Sequence, residues 1–286
     1  MNSYDFSQVD VFAATPLTGN PVAVVHDAAG FADEQMAAFA RWTNLSETTF
    51  LLPPTDPGAD AGADYQLRIF TPAAELPFAG HPTLGSAHAW LEAGGRPRSS
   101  GELVQECGAG LVTVRSMGSD LAFRAPPFVR SGPVDQTELT TVVAALGVEP
   151  HQVLDAQWVD NGPGWLGLEL DSAETVLSLR PDFGALGQET GVIGPHDEKG
   201  RAEHGADFEV RAFCPGLSIP EDPVTGSLNA GLAVWLTRAG RLPPSYVVRQ
   251  GTALRRDGRV RVETDEHGDV WVGGTSRTLV RGALEV

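Results

Sequence analysis

The sequence is poor in lysine, in cysteine and in long apolar runs. Lys199 is the only lysine, and it lies in the polar stretch GPHDEKGRAEHG, which predicts an exposed loop and argues against a pyridoxal-phosphate Schiff base. The two cysteines, Cys107 and Cys214, are in no CxxC pair of the kind that binds a metal. The longest apolar runs are far shorter than the roughly 20 residues that cross a bilayer, so we expect no membrane span.

Positive charge is also scarce. The 20 Lys and Arg residues face 37 Asp and Glu residues, which gives a formal net charge of -17. A phosphate backbone would be repelled by this charge, and no cluster of Lys and Arg offers a local exception, so nucleic-acid binding is not expected. The first residues, MNSYDFSQVDVF, show neither the basic region nor the apolar stretch of a signal peptide. A cytoplasmic location is therefore expected.

The length and composition predict a folded protein of two domains. The chain has 286 residues, of which 42% are hydrophobic and 20% charged, as in ordinary globular proteins. A stretch rich in proline and glycine, PPFVRSGPVDQTEL, places the boundary around Phe128. We expect an N-terminal domain over 1–128 and a C-terminal domain over 129–277. The final strand, 278–286, is a candidate to return to the first domain.

Local patterns predict a mixture of strands and helices. Short runs rich in β-branched and aromatic residues, such as QVDVFAA, PVAVVHD and YQLRIFTP, indicate strands, whereas FADEQMAAFARWTN indicates a surface helix. Two further helices are apolar nearly all round and are expected to be buried. The first is predicted to open at Pro82 and close at Gly94, and the second to open at Pro223 and close at Gly240.

The two buried helices belong to an internal repeat. His81, Pro82, Gly85 and Ser86 fall opposite Asp222, Pro223, Gly226 and Ser227 at a constant offset of 141 residues. The preceding segments RIFTP and RAFCP also match, with the offset changed to 143. A repeat of half the chain suggests two equivalent domains related by a pseudo-twofold axis, with a site between them.

Several polar residues at or near these helix openings are candidates for catalysis or substrate binding. Unpaired N–H groups and the helix dipole let the PxxGS openings hold a carboxylate. Asp222 fits two roles equally well, as an N-cap or as a catalytic group. His81 is an unusual residue for a cap and can exchange protons near neutral pH. Glu47, next to Ser46 at the start of a strand, is by pattern alone more typical of a surface position than of a base.

The segments SETTF, ELPFAGHPTLG and EDPVTGS occur in the order and spacing of the PhzF-like family, and the resemblance extends over nearly the whole chain. The resemblance implies an α+β fold of the diaminopimelate-epimerase-like type, with two pseudo-symmetric domains, each a curved sheet around a central helix, and an active site in the cleft between them. It identifies Glu47 as the catalytic acid/base, with His81 and Asp222 in support. It also implies substrate-binding positions, namely Asn20, Ser46, Gly80, Gly226 and Ser227.

The implied activity is a cofactor-independent isomerase that moves a proton, by double-bond migration or by epimerisation, on a small carboxylated, amino-acid-like metabolite. The family also implies a homodimer and suggests specialised-metabolite biosynthesis, with phenazine-precursor isomerisation as one possibility. No metal is expected, because no HExxH motif or other ligand cluster is present. A serine hydrolase is disfavoured by the lack of a GxSxG elbow. The serious alternative is a catalytically idle protein of the same fold that binds a small acid.

Overall fold

Strand-forming runs separated by glycine and proline dominate the chain, as the sequence predicts. The computed structural model describes residues 2–216 and 220–286. The chain folds as two compact units, the first comprising Met1–Arg124 with Gly273–Val286 and the second Ala125–Val272.

The first unit is built mainly from the strands and helices that precede residue 125. Its strands are β1 (Ser3–Val11), β2 (Asn20–Val25), β3 (Glu47–Leu52), β4 (Tyr65–Phe70), β5 (Glu75–Leu76), β6 (Glu102–Cys107), β7 (Gly110–Met117) and β8 (Asp120–Arg124). Its helices are α1 (Asp33–Thr43), α2 (Asp56–Asp60) and α3 (Gly80–Glu92).

The second unit contains a similar set of strands and helices. Its strands are β9 (Arg130–Pro133), β10 (Val153–Asp160), β11 (Leu166–Leu170), β12 (Thr190–Pro195), β13 (Phe208–Phe213), β14 (Glu221–Asp222), β15 (Ser245–Gln250) and β16 (Gly258–Thr264). Its helices are α4 (Gln136–Leu146), α5 (Ala173–Ser178), α6 (Glu198–His204) and α7 (Gly226–Arg238). Strand β17 (Val270–Gly274) begins in the second unit and ends in the first. Strand β18 (Ser276–Glu285) follows β17 and belongs to the first unit.

The sheet of the first unit curves around helix α3. Its strand order is β18-β1-β2-β3-β4-β6-β7-β8, and β5 pairs with the end of β4. Helix α3 packs against seven of these strands, which is possible only if the sheet wraps around it. Gly85 allows the close approach, because a Cβ there would lie 2.4 Å from Cγ1 of Val22. The helix is therefore central and buried, as its apolar sequence predicts.

The second unit repeats this topology. Its order is β9-β10-β11-β12-β13-β15-β16, and β14 pairs with the end of β13. From β1 and from β10 onward, the neighbouring pairs alternate in the same way, antiparallel, parallel, antiparallel, parallel and antiparallel. The internal duplication predicted from the sequence is confirmed at the level of strand order, and the fold is the expected α+β type.

The register of the repeat differs from the one read in the sequence. Thr83 donates to the carbonyl of Ala79 at the start of α3, and Asn229 donates to that of Thr225 at the start of α7. These matching contacts are 146 residues apart (83 to 229), not 141. The connection from β13 to β14 is longer than the one from β4 to β5, which shifts everything after it. His81 therefore matches Ser227 rather than Asp222.

The first residues of α3 and α7 also differ from the predicted ones. Helix α3 begins at Gly80, so Pro82 is its third residue, and α7 begins at Gly226, after Pro223. Asp222 is held extended by pairing with Ala212, and a residue before proline disfavours the helical conformation, so the helix starts later there. Ser86 lies inside α3, where its hydroxyl pairs with that of Thr49, and not at a helix opening. The predicted stops at Gly94 and Gly240 are confirmed, since both have positive φ directly after the last turn.

The stretch around Lys199 is another difference from the sequence prediction. It forms the short helix α6 rather than a loop, with Asp197 accepting a hydrogen bond from the N–H of Gly200 at its start. Lys199 is nevertheless exposed. No helix among residues 2–216 and 220–286 is long and apolar enough to span a membrane.

Candidate active site

Glu47 opens strand β3 in the first unit and is buried. Helix α1 ends at Thr43 because Asn44 adopts a left-handed conformation with φ 53°, which turns the chain towards the sheet. Glu47 then pairs in register with Val22 of the parallel strand β2. Its side chain has only 10% of its surface exposed. A carboxylate at this depth needs specific polar neighbours, so its position is not that of a solvated surface residue.

His81 is the neighbour that faces Glu47. It is the second residue of α3, 3% exposed, and its Nε2 lies 3.2 Å from Oε2 of Glu47. The angle of this contact falls outside that of a regular hydrogen bond, and catalytic contacts often align only when substrate is bound. Burial lowers the pKa of His81 to about 3. The imidazole is therefore neutral at neutral pH.

Asn20 and Ser46 determine which nitrogen of His81 carries the proton. The Nδ2 group of Asn20 lies 3.2 Å from Nδ1 of His81, and the Ser46 hydroxyl donates to Oδ1 of Asn20 at 3.2 Å. An amide whose oxygen accepts from Ser46 turns its N–H towards Nδ1, which must then accept. The imidazole proton consequently lies on Nε2, facing Glu47. The four side chains form one directed chain from Ser46 to Glu47.

The start of α3 adds donors to this group. Ala79 is the N-cap and provides no side-chain hydrogen bond to the first turn. Gly80 and His81 present backbone N–H groups at the positive end of the helix dipole, whereas Pro82 has no N–H. These are the groups that would stabilise an anion beside Glu47. Five of the predicted residues, Asn20, Ser46, Glu47, Gly80 and His81, thus belong to one cluster.

The other three predicted residues lie together in the second unit. Asp222 is in β14, is 8% exposed, and its Oδ2 accepts from the Thr225 hydroxyl at 2.5 Å. The N-cap of α7 is Thr225, so the alternative in which Asp222 itself caps the helix is wrong. Gly226 and Ser227 are the first two residues of α7, and both are buried.

A buried amide network supports this second cluster. Gln250 accepts from the N–H of Thr225 through Oε1 and donates to the Thr225 hydroxyl through Nε2. Asn229 donates to the same Oε1 at 2.9 Å. The network fixes the peptide before the helix and the side chain that holds Asp222.

Sequence reasoning missed Thr225, Gln250 and Trp165. The indole N–H of Trp165 donates to the Ser227 hydroxyl at 3.0 Å. The repeat gives no signal for Gln250, because it pairs with Val210 on β13, whereas Gln105 of the first unit pairs with Tyr65, two places earlier on the equivalent strand β4. Trp165 reaches Ser227 only through the tertiary fold, and no local pattern marks it.

Comparisons with known proteins identify the family of the chain. The family model described as phenazine biosynthesis-like protein, PhzC-PhzF, matches residues 9–282. The chain is 37% identical to antisense-enhancing sequence 1 of Schizosaccharomyces pombe, over 99% of both chains. It is 32% identical to trans-2,3-dihydro-3-hydroxyanthranilate isomerase of Pseudomonas aeruginosa, over 96% of both chains. A crystal structure of a PhzF-family phenazine biosynthesis protein from Enterococcus faecalis matches with a TM-score of 0.78 and 28% identity, over 100% of both chains.

Proposed function

The chain belongs to the phenazine biosynthesis-like family and is an isomerase, and from this premise we propose that Glu47 moves a proton on a small carboxylated, amino-acid-like metabolite without a cofactor. The observation that carries the proposal is the buried contact between Glu47 and His81 at the start of α3. It combines a base, an N–H donor and a helix N-terminus in one place.

The proposed chemistry follows from these groups. The Glu47 carboxylate removes a proton from an activated carbon of the substrate, and the electron pair moves into the substrate. The N–H groups of Gly80 and His81 stabilise the negative charge that develops. Glu47 then returns the proton to a carbon of the substrate. His81 remains neutral and donates from Nε2, so it orients Glu47 and does not act as a second acid.

The repeat gives the two units different groups at their matching places. Thr48 pairs with Phe70 and Thr190 pairs with Phe213, so Glu189, directly before β12, matches Glu47. Ser227 occupies the place that His81 holds in the first unit. Of the two matching places, only the one in the first unit combines a glutamate with a histidine, and we therefore assign both the removal and the return of the proton to Glu47, as in double-bond migration. Asp222, held by Thr225, is assigned to binding the substrate's amino group.

The substrate class is proposed from the family and the helix starts. Relatives that are 32% identical are named trans-2,3-dihydro-3-hydroxyanthranilate isomerases, and that compound carries a carboxylate and an amino group. Asn20 and Ser46 hold His81, while Gly80, Gly226 and Ser227 supply backbone N–H groups for anionic parts of the substrate. The cytoplasmic location, the homodimer and a single site served by both units stay predictions.

The deciding experiment follows proton exchange at carbon. The protein and its Glu47→Gln variant are incubated in deuterium oxide with trans-2,3-dihydro-3-hydroxyanthranilate and with a panel of unsaturated amino acids, and the products are followed by proton NMR. We expect turnover by the wild type and a loss of about 100-fold or more in the variant. Glu75→Gln, an exposed carboxylate of the same unit, is the matched control and should leave the rate unchanged.

Three outcomes of this experiment distinguish the proposed isomerase from a protein that only binds a small acid. Loss of turnover in Glu47→Gln alone supports the proposal and identifies the substrate from the active member of the panel. Full turnover in Glu47→Gln removes this residue from the mechanism. Tight binding without any deuterium uptake by the wild type favours the alternative, a catalytically idle protein that binds a small acid.

A further inference from the structure

Helix α7 begins without a side-chain cap. Its N-cap, Thr225, directs its hydroxyl to Asp222 rather than to the first turn. The backbone N–H groups of Gly226 and Ser227 therefore stay at the positive end of the helix, where they attract a negatively charged group. A helix start alone does not identify a ligand, so the side chains around Ser227 decide what this place can bind.

The loop between β10 and β11 supplies those side chains and is itself rigid. Oδ1 of Asp160 accepts from the backbone N–H groups of Gly162 and Gly164, each at 2.7 Å. Both glycines have positive φ, 144° and 94°, which other residues adopt only with strain. The loop thus holds its last residue, Trp165, in a fixed place against α7.

Trp165 determines the hydrogen-bonding role of the Ser227 hydroxyl. Its indole N–H lies 3.0 Å from Oγ of Ser227, and both residues are at least nine-tenths buried. An indole N–H can only donate, so Oγ must be the acceptor of this bond. The hydroxyl proton is then left to donate to another group. Ser227 can thus offer its O–H to an acceptor such as a carboxylate.

Asn161, at the other end of the loop, holds the backbone of Ser227 and keeps one atom unused. Its Nδ2 donates to the carbonyl of Ser227 at 2.9 Å, and a flipped amide would place two oxygens against each other, so the orientation is fixed. The side chain is 3% exposed. Its Oδ1 has no hydrogen-bond partner within residues 2–216 and 220–286. A buried acceptor of this kind indicates a missing N–H or O–H donor.

We propose that the loop from Asp160 to Trp165 is a substrate-recognition element for an acid that has an amino or hydroxyl group on the carbon next to the one that bears the carboxylate. Trp165 is a positioning residue that makes Ser227 donate to the carboxylate, and Asn161 accepts from the neighbouring N–H or O–H. The inference rests on the proposed function, because it describes recognition of the same substrate. It adds two residues to that function, together with a requirement for an N–H or O–H group near the substrate's carboxylate.

The role of Trp165 is tested by a double-mutant cycle with Ser227. Trp165→Phe and Ser227→Ala are each expected to raise KM about three- to tenfold with little change in kcat, as for the loss of a neutral hydrogen bond. Trp165→Phe should add nothing once Ser227 is already Ala. Trp235→Phe, a buried tryptophan within α7, is the control for packing and should have the same effect in both backgrounds. An equal loss from Trp165→Phe in both backgrounds contradicts the proposal.

A measurement without substrate checks the same hydrogen bond. In the nitrogen-15 spectrum of the free protein, Ser227→Ala should shift the indole N–H resonance of Trp165 and leave that of Trp271, which donates to Asp265, unchanged. An unmoved Trp165 resonance overturns the assignment. This result does not depend on turnover, so it is separate from the outcome of Glu47→Gln.

The role of Asn161 is tested with two unreactive ligands that differ in one group. The aromatic acid 3-hydroxyanthranilate has an amino group beside its carboxylate, and 3-hydroxybenzoate lacks it. By calorimetry the wild type should prefer the former about tenfold, and in Asn161→Leu the ratio of the two dissociation constants should fall to about one. A preference that survives in Asn161→Leu refutes the acceptor role. Glu47→Gln should retain the preference, which separates failed recognition from failed catalysis.

Discussion

At the scale of single residues, the main result is the direction of the chain from Ser46 through Asn20 and His81 to Glu47. The sequence could identify these residues, because the GNP, SETTF and AGHP segments contain them. It could not predict that the amide of Asn20 bridges Ser46 and His81, since the contacts join residues from three separate segments. The tautomer of His81 is thus a property of the tertiary structure, although each residue is readable in the sequence.

Exchanging the amide of Asn20 for a carboxylate tests this direction. Asn20→Asp leaves only acceptors opposite Nδ1, which forces a proton onto that nitrogen and either removes the Nε2 proton or charges the imidazole beside Glu47. We expect kcat to fall about 10- to 100-fold. Ser46→Ala, which only removes the donor to Oδ1, should cost less than about fivefold. Steady-state kinetics with unchanged kcat in Asn20→Asp would show that the tautomer does not matter.

At the scale of helices and strands, tertiary pairing decided what local patterns could not. The strands and the two buried helices were predictable from apolar runs and from their glycine stops. The helix starts were not, because the pairing of Asp222 with Ala212 keeps that segment extended despite Pro223. Helices α2, α5 and α6 were missed because each is short, from five to seven residues, and lacks a full apolar face.

The repeat also provides a matched pair of ion pairs on equivalent strands. Arg68 binds Glu75 through two nitrogens at the surface, and Arg211 binds Glu221 in the same way in the interior. Glu221→Gln leaves a buried guanidinium without its counter-charge and should lower the free energy of unfolding by about 3–5 kcal/mol. Glu75→Gln should cost about 1 kcal/mol or less.

Urea unfolding of the two variants measures this difference. Equal losses would mean that the depth of the pair has no influence, which contradicts the expectation for desolvated charges. The strand pairing and the Arg–Glu pair are the same at both sites, but Arg68 also binds Asp33, so it keeps a counter-charge in Glu75→Gln.

At the scale of the whole chain, the duplication was predictable but its register was not. The matching PxxGS letters suggested an offset of 141, whereas the hydrogen bonds at the helix starts set His81 against Ser227. Similar short sequence motifs can thus lie at positions that are not equivalent in the two halves of the repeat. The correction changes the chemistry, because Ser227, which is not an acid/base group, takes the place of His81 in the second unit.

The second unit also contains a buried acid that should make stability depend on pH. Burial raises the pKa of Glu209 to about 7, and its neighbours are the Thr252 hydroxyl and His196. The folded state therefore holds this proton more tightly than the unfolded chain, in which the carboxyl has its ordinary pKa of 4.5. The contribution of Glu209 to the free energy of unfolding is fully present below pH 4.5 and is lost as the pH rises to about 7.

The variant Glu209→Gln removes this titration while keeping the shape and the hydrogen-bonding capacity of the protonated acid. The free energy of unfolding of the wild type relative to the variant should fall by about 1 kcal/mol per pH unit between pH 5 and 7 and level off above. Urea unfolding at each pH gives the comparison. A difference that is independent of pH would place the pKa of Glu209 near its ordinary value.

Strand β18 has a consequence for the order in which the protein is made. It pairs with β1 along its length, and Asn2 and Val286 exchange two backbone hydrogen bonds. On the ribosome, β1 emerges before residues 125–272, whereas β18 emerges after them. The second unit can therefore close while the first still has an open strand edge beside the helix that carries His81. A nascent chain stalled before β18 would contain every catalytic residue proposed for the first unit and still lack the strand that completes its sheet.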